Sequence, residues 1–150
     1  MQQQLIEGVL FTKINKIDDE RGSVLHHLNY LSPSFVGYQE SYISKTYTNI
    51  IKAWKLHTKM TQNISVPLGA FKFVLIDMRT DSITYKVINE FVLDDNLLYY
   101  LLTIPPNIYY GFKCLNENYG LIFNVTNYKF EPEEVKKIPI ENNILPRYVW

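Results

Sequence analysis

Residues 62–77 read Gln62-Asn63-Ile64-Ser65-Val66-Pro67-Leu68-Gly69-Ala70-Phe71-Lys72-Phe73-Val74-Leu75-Ile76-Asp77. Two extended halves flank a Pro-Leu-Gly turn, because proline presets φ and glycine accepts the conformations other residues avoid. On the second half Phe71, Phe73 and Leu75 fall on one face, and Lys72, Val74 and Ile76 on the other. Both faces are largely apolar, which suits a strand covered on both sides in a stacked or closed β architecture. Working outward, the same texture predicts strands near Gly8–Ile14, Val24–Leu28, Tyr38–Lys45, Ile50–Leu56, Lys86–Leu93, Leu98–Ile104, Ile108–Cys114 and Leu121–Thr126. On the last of these Ile122, Asn124 and Thr126 share a face, and around Ile50–His57 the alternation puts His57 beside Ala53 and Lys55. A short helix is expected over Pro132–Lys136, with Glu131, Glu133 and Glu134 at its N-terminus. Short strands at about ten-residue spacing predict an all-β sandwich or barrel.

Composition narrows the function classes. The chain has 150 residues, 47% of them hydrophobic, with 15 Lys+Arg balancing 15 Asp+Glu, which predicts one domain over residues 1–150 with a single core. Charge balance argues against a protein built to grip nucleic acid backbones. Cys114, the one cysteine, has no partner for a disulfide. With no secretory signal and no apolar run long enough to span a bilayer, a soluble, cytoplasmic protein with no membrane partner is expected.

Chemistry-bearing residues are few. His26 and His27 are adjacent, so on a strand they point to opposite faces. His57 stands in Trp54-Lys55-Leu56-His57-Thr58-Lys59-Met60-Thr61-Gln62, where one titratable base is mixed with hydroxyl, amide and cationic groups. Imidazole is the side chain best matched to proton transfer near neutral pH. Lys52, Lys55 and Lys59 form a cationic set around it that suits either solvent or an anionic ligand such as a diphosphate. No metal-binding cluster can be assembled from this sequence, and no cofactor is implied. Tyr42, Tyr109 and Tyr110 are phenols able to serve as acids or to pack a barrel wall.

In this setting the chain resembles the dTDP-4-dehydrorhamnose 3,5-epimerase family. The likeness is carried by Asp19-Glu20-Arg21-Gly22, by Lys52-Ala53-Trp54-Lys55-Leu56-His57 and by Gly69 followed by Asp77-Met78-Arg79 and Ser82-Ile83-Thr84. Ile104-Pro105-Pro106, Tyr110-Gly111-Phe112, Thr126, Pro132-Glu133-Glu134 and Trp150 continue it in the same order. The resemblance implies a cupin-like jelly-roll barrel, a homodimer with N-terminal strands exchanged between subunits, no metal, and a nucleotide-diphosphate 4-keto-6-deoxy sugar as substrate in polysaccharide or deoxysugar biosynthesis. It implies that His57 is the base removing the proton α to the ketone, and that Arg21 binds the diphosphate from the neighbouring subunit. Lys52 is expected to help with the diphosphate, while Lys55, Gln62, Asn124 and Tyr110 line the pocket. Asn124 occupies the register of the family's general-acid tyrosine, Gln62 that of a lysine and Tyr110 that of a histidine. The family's histidine pairs with an aspartate in a further C-terminal segment, so with the chain stopping at Trp150 His57 is expected without a carboxylate partner. His57-Thr58-Lys59-Met60-Thr61-Gln62 is also similar to part of the signature of the cupin-type 3,4-ketoisomerases, whose reaction begins with the same proton abstraction. The alternative these departures suggest is a catalytically silent cupin that binds a sugar nucleotide or a partner enzyme.

Overall fold

The computed structural model describes residues 4–150. Its strands are β1 (Leu10–Lys13), β2 (Lys16–Asp19), β3 (Gly22–Leu25), β4 (Glu40–Tyr47), β5 (Ile51–His57) and β6 (Gln62–Leu68). They continue as β7 (Ala70–Asp77), β8 (Ile88–Asp94), β9 (Tyr100–Ile104), β10 (Ile108–Cys114), β11 (Tyr119–Thr126) and β12 (Val135–Lys137). Strands β1-β9-β6-β11-β4 form one sheet and β12-β5-β10-β7-β8 a second, with β2-β3 a separate two-stranded ribbon. The pairings are antiparallel throughout, and the sheet order is cupin-like.

The expected barrel closure and the expected helix at Pro132–Lys136 are both corrected by the fold. The sheets are open and do not close into a barrel, because among the described residues no ladder joins the edges of one sheet to those of the other. The physical reason lies in the connections. The turns after β4, β6 and β10 each carry the chain from one sheet to the other, so consecutive strands face one another instead of pairing. Strand β1 pairs with β9, from Leu10 opposite Thr103 to Lys13 opposite Tyr100. The ribbon β2-β3 stands apart and leaves Ile17 and Val24 exposed.

The alternation on β7 explains the layering. Phe71, Phe73 and Leu75 enter the core between the sheets with Val66, Leu102 and Ile108. Val74 and Ile76 face outward into a second cluster with Trp54 and Leu145, covered by Tyr148 and Trp150 of the C-terminal segment. Burial on both faces is what a run apolar on both faces requires. The expected helix at Pro132–Lys136 is instead a three-residue 3-10 turn, Pro132–Glu134, followed directly by β12. Pairing with β5 captures residues 135–137 as an edge strand, in the register Val135–His57, Lys136–Leu56 and Lys137–Lys55.

One irregularity positions the site. Tyr110 pairs with Lys55 and Phe112 with Lys52, so Ala53 and Trp54 together oppose the single residue Gly111. Such a bulge shifts the alternation by one residue. Trp54 therefore turns into the outer cluster, while Lys52 rather than Ala53 joins Lys55 at the cavity. Glycine is required opposite the bulge, since a Cβ on Gly111 would lie 2.5 Å from that of Ala53.

Candidate active site

Strand β5 ends at His57, whose ring is buried. Its Nδ1 is hydrogen-bonded to Glu134 Oε1, and its Nε2 lies 3.3 Å from the Tyr110 hydroxyl. The register of β12 on β5 brings Glu134 there, because the residue before the Val135–His57 pair must fall beside Thr58. Thr58 N donates to the Glu134 carbonyl at 2.8 Å, locking that level. The second carboxylate oxygen, Oε2, accepts from Lys59 N at 3.2 Å and Met60 N at 3.4 Å. A buried carboxylate supplied with three donors stays in place and holds the imidazole with its Nδ1 hydrogen toward Glu134. The Nε2 lone pair is thereby turned to Tyr110 and the cavity.

The expectation of an unpartnered His57 is therefore corrected. Glu134 is the functional residue that the sequence reading missed. Its signal, Pro132-Glu133-Glu134, is read in sequence as a charged helix start, and 77 residues separate it from His57.

The cavity lies between the sheets and has two parts. An outer bowl of about 440 Å³ is walled by Glu40, Tyr42, Lys55, His57, Tyr110 and Lys137, among others. An inner chamber of about 60 Å³ continues from it past Tyr42, Lys55 and Tyr110 to Lys52, Gln62 and Asn124. His57, Tyr110, Lys52, Lys55, Gln62 and Asn124 thus line two adjoining cavities that share Tyr42, Lys55 and Tyr110 as walls. Arg21 does not: its side chain is 84% exposed on the β2-β3 ribbon and paired with Asp19 of the same ribbon. Tyr109 alternates away from the cavity and packs in the outer cluster. Lys59 points to Tyr128, and its place in the cationic set is taken by Lys137.

Burial and neighbouring charges set the protonation of the groups around this cavity. Burial pushes the Tyr110 phenol well above the usual tyrosine range, with Tyr42 and Glu134 adding to it against a hydrogen bond from Gln62, so it stays protonated. Burial lowers the Lys55 ammonium, and Lys137 and Lys52 add like-charge repulsion. No acidic side chain within 4 Å pairs with Lys52, Lys55 or Lys137 among the described residues, so an anion entering here meets ammonium groups that are not tied into ion pairs. Asn124 Nδ2 donates to Tyr42 Oη at 2.9 Å and to Gln62 Oε1 at 3.0 Å. Its buried Oδ1 has no hydrogen-bond partner among the described residues. Among the described residues no group of three or more His, Cys, Asp or Glu side chains comes together as a metal cage. No helix there is long and apolar enough to cross a membrane.

A cavity between two β-sheets, with a carboxylate-oriented imidazole facing phenols and ammonium groups, defines a class: a cupin-type scaffold whose polar, cation-lined cavity suits an anionic ligand. Comparison with known proteins makes the assignment specific. The sequence profile of the dTDP-4-dehydrorhamnose 3,5-epimerase family matches residues 3–145, and the chain belongs to that family of sugar-nucleotide epimerases and isomerases of deoxysugar biosynthesis. A crystal structure of a dTDP sugar isomerase from Desulfovibrio desulfuricans is 35% identical, with a TM-score of 0.86 over 89% of this chain and 85% of that one. The spore coat polysaccharide biosynthesis protein SpsL of Bacillus subtilis is 28% identical over 94% of both chains. A probable low-salt glycan biosynthesis epimerase, Agl13 of Haloferax volcanii, is 29% identical over 67% of this chain and 66% of its own.

Proposed function

We propose that the protein acts on a nucleotide-diphosphate 4-keto-6-deoxy sugar, removing a proton from a carbon next to the ketone to epimerise or isomerise the sugar. The observation that carries this reading is the Glu134–His57 pair with Nε2 turned to the cavity. A neutral imidazole held in one tautomer is a base, and the charge it acquires on taking the proton is offset by the carboxylate behind it. The enolate formed at the same moment puts negative charge on the sugar oxygen. Lys55 and the Gln62 amide N–H are the donors that stabilise it, since the two Asn124 N–H groups are taken by Tyr42 and Gln62. Lys137 on the outer bowl holds the diphosphate at the mouth, and Lys52 adds positive charge from the inner chamber.

Arg21 belongs to this reading through a homodimer. Exposed Ile17 and Val24 flank it on the ribbon and suit an interface, and in that arrangement Arg21 reaches the diphosphate bound by the other subunit. Sedimentation at micromolar concentration should show a dimer; a monomer removes this part of the proposal.

The test of the chemistry is incubation in heavy water with dTDP-4-keto-6-deoxyglucose and its CDP and GDP counterparts. Deuterium should enter a carbon flanking the ketone of at least one sugar, and His57→Ala should slow that entry by about 100-fold or more. Binding detected as a thermal shift, without deuterium entry for any of the three, would establish the catalytically silent alternative instead.

A further inference from the structure

Two phenols reach the cavity, one from each sheet. Tyr110 on β10 shares its sheet with His57 and hydrogen-bonds the imidazole itself. A phenol on the wall of the base delivers its proton to the face from which the base removes one. Tyr42 is on β4, in the opposite sheet, and lines both the bowl and the inner chamber.

Strand pairing links Tyr42 to Asn124, which lies in the same cavity. Asn124, in the register of the family's acid tyrosine, pairs directly with Tyr42 across the β11–β4 ladder. Directly opposed residues of an antiparallel pair project from the same face with Cβ atoms roughly 5 Å apart. Moving a phenol from one to the other keeps it in the same cavity and on the same wall. The Asn124 amide then donates to Tyr42 Oη at 2.9 Å. As this contact uses the hydroxyl as an acceptor, the hydroxyl hydrogen is left for the cavity.

We propose that Tyr42 is the proton donor acting from the wall opposite His57, with Asn124 as its positioning residue, so that this chain carries its acid on β4 instead of β11. The inference rests on the proton-transfer reading above. His57 Nε2 takes the proton from the carbon beside the ketone, and the C–H electron pair becomes the enolate double bond while the carbonyl π pair moves to oxygen. The Tyr42 O–H then gives its proton to that carbon from the other face, and the enolate electrons form the new C–H bond as the ketone is restored. Tyrosinate regains a proton from water at the mouth and imidazolium returns one, so only the configuration at carbon has changed. Burial, the largest influence on Tyr42, raises its pKa and keeps its proton in place between turnovers.

The experiment compares Tyr42→Phe and Tyr110→Phe with the natural protein, using in heavy water the keto sugar that the natural protein labels. Deuterium entry with retention reports His57 alone, whereas inversion requires the opposite acid. Tyr42→Phe should keep label entry within about 10-fold while inversion falls about 100-fold, the scale of one general acid. Tyr110→Phe should lower both in proportion, because its hydroxyl acts through the imidazole. The double exchange Tyr42→Asn, Asn124→Tyr, which returns the phenol to β11, should recover inversion relative to Tyr42→Asn. Equal effects on label and inversion in Tyr42→Phe, no effect on either, or the split appearing in Tyr110→Phe would each overturn the assignment. Absence of label entry with the natural protein is a different failure, since it removes the proton-transfer reading itself.

Discussion

Strands β5 and β7 flank β10 and end at the same level, one on His57 and the other on Asp77. Asp77 pairs with Ile108, and the His57 carbonyl accepts from Asn107 N, one residue earlier. Each end carries a buried carboxylate, Asp77 in one case and Glu134 in the other. Asp77 is saturated by groups of its own loop. It accepts from Arg79 N at 3.0 Å, Nε at 2.9 Å and a terminal guanidinium nitrogen at 2.8 Å, and from the hydroxyls of Ser82 at 2.6 Å and Thr84 at 2.7 Å. The same loop fastens Glu7, through Arg79 to its carbonyl and Thr84 to its N–H. Despite burial, those donors hold the Asp77 carboxyl well below the usual carboxylate range. Glu134 faces a partner that can itself gain and lose a proton, and that partner faces a cavity. A buried acid whose donors are all fixed cations and hydroxyls is a fastener, whereas one whose main partner is an imidazole at a cavity wall is part of a reaction site.

The comparison is broken or upheld by exchanging the consequences of mutation. Glu134→Gln preserves shape and removes the charge behind His57. Deuterium entry into the keto sugar should fall by about 10²–10⁴-fold, while the melting temperature shifts only slightly. Asp77→Ala should do the reverse. Leaving the partly buried guanidinium and two hydroxyls without their acceptor should cost about 3–5 kcal/mol in urea unfolding, with the rate per folded molecule unchanged. The acid limb checks the same group. The unfolded Asp77 protonates near pH 4 while the folded one does not, so its stabilisation is complete above that pH and is lost as the pH falls below it. Asp77→Asn should flatten stability against pH below about pH 4.

How much of this is legible in the sequence depends on range. Period-2 alternation on β7 puts Phe71, Phe73 and Leu75 on one face and Lys72, Val74 and Ile76 on the other, and the folded chain buries the first set in the inner core and Val74 and Ile76 in the outer cluster. That success is local, because side-chain direction along a strand depends only on parity. Parity fails at Ala53-Trp54, where the bulge opposite Gly111 exchanges Ala53 for Lys52, and a bulge depends on a strand distant in sequence. Edge strand β12 is unreadable for the same reason: three residues become a strand only because β5 offers an edge. Glu134 travels with it. Barrel closure is likewise a property of how edges meet, which no single strand encodes.

The smallest effect sharpens the comparison by asking whether burial alone makes an imidazole into a base. His27 is mostly buried on the outer face of the first sheet, its Nδ1 2.7 Å from Ser65 Oγ and its ring 4.6 Å from that of Phe123. No carboxylate stands behind it, and burial, only partly offset by the Asn63 backbone, lowers its pKa to about 4. At neutral pH such a ring binds protons too weakly to drive carbon-acid chemistry, so burial without a countercharge produces a packing residue. The sign of its stability effect follows. Folded His27 stays neutral while the unfolded chain takes up a proton near pH 6.5, so its stabilisation is complete above pH 6.5 and is lost as the pH falls toward 4. The loss should amount to about 2 kcal/mol, allowing for the ring's remaining contact with solvent. Urea midpoints measured from pH 7.5 to 4 should therefore decline for the natural protein and decline less for His27→Gln, which keeps a polar partner for Ser65 without titrating. Equal slopes in the two proteins would mean that the ring is solvated, and that burial does not separate it from an ordinary surface histidine.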